Sequence, residues 1–361
     1  MTKAAELAKM GEVLTNNQIG GRRNLIINGG MKLAQRSGNA TGLGASSGYF
    51  GLDRFQIFFN TSGRLTMSQE ADGPSGFANS MKLACTTADT DIAATENIIL
   101  SQAIEAQDLQ QLKKGTSDAE KFTLSFYVKG NASAAYSVEV YDSDNNRSIG
   151  QTFSVTTSWN RVVLTFDADT SGALNDDNGV GFYVNWWLHA GSNYTGGTFN
   201  TTWQDYVNNQ RAGNTTSFLD STSRTFFMTG VQLEVGSQAT PFEHRSFAEE
   251  LKLCQRYFFT TYEVGATIGA ASSVSFLGRF IDATHSYASI QVPHVAMRSS
   301  PTRVIYNTAT GATSSLRSDS NNHAAAITGT NANGNGWIYA NASSIGTSVS
   351  VKAHLTMEAE L

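Results

Sequence analysis

Between residues 50 and 236 apolar and polar side chains alternate at period two, and clusters of Gly, Asn, Asp and Ser interrupt the alternation. This pattern predicts antiparallel strands with one buried face each. Phe122, Leu124, Phe126 and Val128 share one side of 122–128, and 136–141, 161–166, 181–189 and 225–235 repeat the theme. Residues 105–114 read as a helical turn or two between strands. Many short strands with irregular, Gly-rich connections favour a double-sheet jelly roll, and no coil of fixed length recurs to suggest a β-helix.

After Phe258 the pattern is β again. Val349, Val351, Ala353, Leu355, Met357 and Ala359 face one way; Ser350, Lys352, His354, Thr356, Glu358 and Glu360 face the other. One buried and one wet face follow. Segments 279–292, 302–306 and 336–340 predict further strands, with 318–332 a polar connection. The last strand is an edge that needs a cover, from within the chain or from a neighbouring copy. Residues 239–258 join the two β halves through one short helix: Pro241 turns the chain, and Ser246 with Glu249 forms a capping box. At the start, Leu7, Met10 and Leu14 make a narrow apolar seam on a short helix. Such a helix persists only when packed, so the seam is either an attachment or oligomer contact or a frayed terminus.

With 361 residues, 40% of them hydrophobic, the chain has enough material for two cores. Its 25 basic residues are scattered and outnumbered by 30 acidic ones, which argues against a nucleic-acid partner. No run reaches the roughly 18 apolar residues of a membrane span. No apolar signal-peptide core opens the chain either, so no membrane insertion is expected. Cys85 and Cys254 read as small buried hydrophobes rather than a disulfide.

Two constellations could bind something. Asp167, Asp169 and Ser171, followed by Gly172 and Asn175, match the first half of a calcium loop, in which a hard cation gathers closely spaced oxygens. Asn178 stands where the bidentate Glu belongs, so an EF-hand is excluded. The same residues would also suit a plain turn whose Asp and Asn bond their own backbone. Calcium is therefore the one cofactor considered. In 182–189 the period-two rule sets Phe182, Val184, Trp186 and Leu188 inward and Tyr183, Asn185, Trp187 and His189 outward. Rings mixed with hydrogen-bonding groups suit a sugar, whose C–H face stacks while its hydroxyls bond. Tyr194, Trp203 and Tyr206 could extend that surface. The alternative is a ring set buried with its polar tips outward. Enzyme motifs are missing, and the six histidines show no metal-ligand spacing. His244, between Glu243 and Arg245, reads as a structural hydrogen-bonding residue.

The residues also resemble a known family. Residues 24–31 (Asn-Leu-Ile-Ile-Asn-Gly-Gly-Met), 34–36 (Ala-Gln-Arg), 52–55 (Leu-Asp-Arg-Phe), 230–236 and the helix ending in Cys254, Gln255, Arg256 and Tyr257 resemble bacteriophage tail-fibre and receptor-binding proteins. The resemblance implies an all-β protein: an N-terminal helical anchor at 1–23, a jelly-roll β-sandwich at 24–246 like that of carbohydrate-binding modules, and a linker helix with a smaller C-terminal β-sandwich domain at 247–361. It implies a non-enzymatic virion protein, a short tail fibre or knob assembled in the host cytoplasm, that recognises a host-surface polysaccharide or outer-membrane component. Its other partners would be virion proteins of the tail or capsid vertex, and related fibres are homotrimers. A head-decoration or adaptor protein that binds only virion subunits is the alternative. A surface-polysaccharide depolymerase, with two carboxylates drawn from separate strands, is the third.

Overall fold

The computed structural model describes residues 3–5, 23–213, 216–272, 276–282, 287–291, 295–318, 321–328, 337–341 and 350–361. The seam residues Leu7, Met10 and Leu14, and Val349 of the last predicted strand, lie outside them. Contacts divide the chain into two units. The first takes the described residues up to Lys32 with Thr41–Gly48 and Phe55–Arg245. The second takes Leu33–Ala40, Tyr49–Arg54 and Ser246–Leu361.

In chain order the strands are β1 (Asn39–Leu43), β2 (Gly48–Tyr49), β3 (Gln56–Asn60), β4 (Arg64–Glu70), β5 (Ser80–Thr87), β6 (Asn97–Glu105), β7 (Phe122–Gly130), β8 (Ala134–Asp142), β9 (Arg147–Val155), β10 (Asn160–Phe166), β11 (Val180–Ala190), β12 (Gln204–Asp205) and β13 (Thr225–Val235). They form two antiparallel sheets, ordered β1-β4-β5-β13-β7-β10 and β12-β9-β8-β11-β6-β3-β2. The chain changes sheet from β5 to β6 to β7 to β8 and from β9 to β10 to β11, the winding of a jelly roll. Inward residues fill the space between the sheets as the alternation requires. Phe122, Leu124, Phe126 and Val128 are buried, and the Phe126 ring meets Trp186 edge-on with centroids 5.8 Å apart. On β10, Val162, Leu164 and Phe166 are buried while Val163 faces out. The segment expected as a turn or two is a 3-10 helix, Ala106–Leu112.

The opening segment is clasped by the residues that resembled its family partner. Asn24 donates from its backbone N–H to Glu243 Oε2 at 2.5 Å and from Nδ2 to the Val231 carbonyl at 3.0 Å. Its Oδ1 accepts from the N–H groups of Ile26 and Leu233. Gly29 must be glycine because a Cβ there would lie 2.0 Å from the Val231 carbonyl oxygen.

In the second unit, helix α2 (Phe247–Gln255) starts at the expected capping box: Ser246 Oγ accepts from Glu249 N–H, and Glu249 accepts from Ser246 N–H. Its strands are β14 (Phe258–Thr260), β15 (Phe276–Asp282), β16 (Tyr287–Gln291), β17 (Thr302–Tyr306), β18 (Ser315–Ser318), β19 (Asn321–Ala324), β20 (Ala326–Thr328), β21 (Trp337–Asn341) and β22 (Ser350–Glu358). β22 pairs with β14, β15, β17 and β18, so the strand read as an edge is covered from within the chain. That pairing corrects the expected wet face, since His354 and Thr356 are buried along with Val351, Ala353, Leu355 and Met357. The region read as a polar connection, 318–332, holds two strands instead, β19 and β20; strands of four and three residues are too short to show the apolar alternation that signals one.

A charged cluster links the ends of this unit's sequence. Arg54, buried, pairs with Glu360, and its guanidinium lies 3.4 Å from the Tyr257 ring centroid. Arg36 bonds Glu358 at 3.1 Å and Glu360 at 3.0 Å and stacks 3.8 Å from the Phe258 ring centroid. Gln35 donates to Asp53 from N–H and Nε2. Burial pushes the Asp53 carboxyl up to about 6, against the pull of Arg36 and the Gln35 bonds. Both cysteines are free and buried, and burial raises both thiols, which leaves them unreactive at neutral pH.

Candidate functional site

The outer face of the second sheet in the first unit carries a cleft of about 350 Å³ lined by Phe58, Asn97, Ile99, Tyr141, Tyr183, Asn185, Tyr194 and Arg211, among others. Strand register builds it. Tyr183 of β11 stands opposite Tyr141 of β8 and Ala103 of β6, and Asn185 stands between Glu139 and Ser101. The next outward row places Trp187 between Ser137 and Ile99, with Phe58 of β3 opposite Ile99.

The chain after β11, including helix α1 (Ser192–Thr195), folds back over this face. Phe199 lies on Gly150 of β9, where a Cβ would come within 2.4 Å of the ring. Tyr194 lies 5.0 Å, centroid to centroid, from Trp187, and its hydroxyl accepts from Asn97 Nδ2 at 3.0 Å. Arg211 bonds Glu139 through Nε to Oε1 at 2.8 Å and Nη2 to Oε2 at 2.9 Å. Its guanidinium lies 4.8 Å from the Trp187 ring centroid, 4.9 Å from Tyr206 and 5.8 Å from Tyr141.

Beneath the cleft runs a polar network. Ser101 Oγ donates to Asn185 Oδ1 at 2.7 Å, and Asn185 Nδ2 and Trp187 Nε1 donate to Glu139 Oε2 at 3.0 and 3.2 Å. The buried carboxylate is thus paired and bonded, which is the condition for tolerating it there. Burial opposes the Arg211 charge, but Glu139 and the Tyr206 hydroxyl outweigh it and raise its pKa. Rings line the cleft: Tyr141 and Tyr183 stack with centroids 6.2 Å apart and Phe58 lies 6.4 Å from Tyr183, while Tyr206, outside the lining, lies 5.2 Å from Tyr141. Burial raises the Tyr141 and Tyr183 hydroxyls, so both remain neutral donors at physiological pH. Neutral rings with hydroxyl, amide and guanidinium groups can stack on an apolar face and bond the polar edge of the same ligand.

The structure brings Tyr183, Asn185 and Tyr194 together at this cleft. Trp187, read as outward, is on the outer face of the strand, but the covering segment buries it fully; His189 is corrected, because the register shift after Trp187 pairs it with Ile98, on the face of Leu100 and Trp186, and it too is fully buried. His189 Nδ1 lies 2.8 Å from Ser217 Oγ; burial holds its pKa down against Glu96 and Asp89, so the ring is neutral. Trp203 lies apart from the cleft, donating from Nε1 to the Asp167 carbonyl at 2.8 Å beside Phe122 and Phe182. Phe58, Tyr141 and Arg211 were missed. The alternation on 136–141 does place Tyr141 on the outer face with Glu139, whereas nothing local marks Arg211 as their partner.

The calcium reading is corrected at its central ligand. Asp169 bonds Arg147 Nε at 2.8 Å and lies 3.0 Å from the buried Lys114 Nζ, which also contacts Asp142 at 2.6 Å. An ammonium lies between Asp142 and Asp169. Burial disfavours the Asp169 carboxylate, but bonds from Arg147, Lys114 and Ser171 outweigh it and lower its pKa. Lys114 also donates to the Ser171 and Gly172 carbonyls. Asp167 instead pairs with Lys121, and Asn175 donates to Asp144. The four residues make a salt-bridged turn.

No protein-family model matches the chain, and no curated protein matches it. Similar solved structures include a family 11 carbohydrate-binding module from Clostridium thermocellum, solved with a β-1,3-1,4-mixed-linked tetrasaccharide. It is 11% identical, with a TM-score of 0.29, over 58% of this chain and 99% of that one. The tandem CBM22-1-CBM22-2 domain of Paenibacillus barcinonensis Xyn10C is 10% identical, with a TM-score of 0.30, over 95% of this chain and 92% of that one. The enzymatically active domain of bacteriophage CBA120 tailspike protein 4 is 15% identical, with a TM-score of 0.30, over 59% of this chain and 21% of that one. Residue roles do not extend from proteins this distant.

Proposed function

We propose that the chain is a non-catalytic glycan-binding protein whose cleft at Tyr183 takes a saccharide of a cell-surface polysaccharide. The observation that carries this reading is that the rings of Phe58, Tyr141, Tyr183 and Tyr194 line one cleft together with Asn185, Asn97 and Arg211. A sugar presents the matching pair of surfaces, an apolar C–H face and a rim of hydroxyls. Binding without hydrolysis is favoured because the carboxylate under the cleft, Glu139, is engaged by Arg211, Asn185 and Trp187 and is only 1% exposed. A hydrolytic pair needs an acid and a base free to meet the glycosidic bond.

The resemblance of residues 24–31, 34–36, 52–55, 230–236 and 254–257 to phage tail-fibre proteins supports placing this activity on a virion, in contact with other virion proteins. Several copies on one particle would raise weak single-site affinity by avidity. A trimer is part of the same proposal and is read directly by light scattering, near 116 kDa for three chains of 38.8 kDa. The function is tested by screening the full chain against a bacterial polysaccharide array and measuring any hit by calorimetry. Saturable binding that Tyr183→Ala weakens at least tenfold supports the reading. No binding across the array, or equal binding by Tyr183→Ala, overturns the site.

A further inference from the structure

Asp89, Glu96 and His189 each bring one ligand atom within 4.8 Å of the other two. Asp89 follows β5, Glu96 precedes β6, and His189 stands near the end of β11, just past the register shift between Trp187 and His189. All three residues are buried, and the imidazole is fully so. Asp89 Oδ2 already accepts from Thr61 Oγ1 at 2.7 Å, Ser62 N–H at 3.0 Å and Ser62 Oγ at 2.8 Å, and the Glu96 side chain lies within hydrogen-bonding reach of the same carboxyl group. Glu96 Oε2 accepts from Ala93 N–H at 2.9 Å.

The His189 imidazole is bonded at one nitrogen and not at the other. Its Nδ1 is taken by Ser217 Oγ, which also accepts from Leu219 N–H, while Nε2 has no hydrogen-bond partner and faces Glu96 Oε2 at 3.6 Å. With the Nδ1 proton on the Ser217 side, a lone pair on Nε2 points at two carboxylates. A cation between them would remove three unfavourable features together: the orphaned nitrogen, the lone pair against an anion, and the two adjacent acids. Ser217 then fixes the tautomer from behind, as an outer-shell partner does for a metal-bound histidine.

We propose that Asp89, Glu96 and His189 form a site for one divalent transition-metal ion, with Zn²⁺ the best fit. One imidazole and two carboxylates are a donor set for zinc, whereas calcium and magnesium take oxygen ligands throughout. The Glu96 side chain, 12% exposed, provides the way in. The ion would tie the 88–96 connection to the end of β11. That connection holds the rim of the cleft, since Gly191 N–H donates to the Glu96 carbonyl at 2.8 Å and Asn193 N–H to the Ala94 carbonyl at 2.9 Å. The site stands whether or not the cleft binds a glycan.

The test is calorimetric titration of the chelator-treated full chain with Zn²⁺, and separately with Ca²⁺ and Mg²⁺. One equivalent of Zn²⁺ should bind, with a rise in melting temperature. Affinity should fall at least tenfold in Glu96→Gln and again in His189→Asn. Glu96→Gln is the deciding variant, because it lies at the margin of the site and circular dichroism can verify its fold. With folded Glu96→Gln, unchanged zinc affinity would overturn the site. So would the lack of a one-equivalent zinc isotherm in the parent, or calcium binding there more tightly than zinc.

Discussion

Arg211 holds Glu139 with both carboxylate oxygens, Nε to Oε1 at 2.8 Å and Nη2 to Oε2 at 2.9 Å, across 72 residues of sequence. The pair joins the covering segment to the sheet and orients the floor of the cleft. Removing one partner would leave a buried charge uncompensated, a loss of about 3–5 kcal/mol. Arg211→Ala should therefore lower urea stability by about that much. Adding Glu139→Gln to Arg211→Ala should recover at least half, because the stranded group is then neutral.

Trp187 and Tyr183 share the outer face of one strand with opposite consequences. Trp187 is fully buried under Tyr194 and Arg211, so Trp187→Ala should cost about 3–5 kcal/mol and reduce binding only through misfolding. Tyr183→Ala, at a half-buried wall position, should retain a cooperative thermal transition while losing affinity for any glycan bound by the parent. Thermal melts beside calorimetry would separate the two.

Lys114 is the ion that organises the 167–178 turn. Lys114→Ala should leave Asp142 and Asp169 buried side by side and lower stability by about 3 kcal/mol or more. Asp169 has a depressed pKa, so its contribution is present above its unfolded pKa and is lost as pH falls through the folded one. In Asp169→Asn the acid limb of a pH–stability curve should flatten.

Asp53 has the opposite sign. Its pKa is raised to about 6 from 3.8, so its stabilising effect is complete below the unfolded value and is lost as pH rises through about 6. Between pH 3.5 and pH 7 the parent should lose about 3 kcal/mol relative to Asp53→Asn, from roughly two pKa units at about 1.4 kcal/mol each. Denaturation of both proteins at the two pH values measures that difference.

Much of this was legible where the physics is local. Thr225–Val235 is a strand over the very residues that alternate, and Ser246 with Glu249 caps the helix as its spacing requires. What escaped the sequence is long-range. Period two gives the face of Trp187 but not whether the chain returns to cover that face, and Arg211, held by Glu139 of β8, decides that from 24 positions further along the sequence. The Asp-rich turn matched a cation loop by spacing, but Asp167 pairs with Lys121 while Asp169 meets Lys114 beside Asp142 of β8, a tertiary approach that spacing does not show. His189 was set aside for lack of ligand spacing, although Asp89 and Glu96 reach it from a different strand connection.

Arg54 and Glu360 are 306 residues apart in sequence yet belong to one unit, with 55–245 assigned to the other. Genetic exchange at a single breakpoint near Ser246 would therefore transfer α2 and its strands without Arg36, Asp53 and Arg54. The recipient would inherit Glu358 and Glu360 with no cations to meet them. Recombination that keeps this unit whole must bring along the short segments at 33–40 and 49–54 as well, so the lineage of this protein is expected to exchange the two units together.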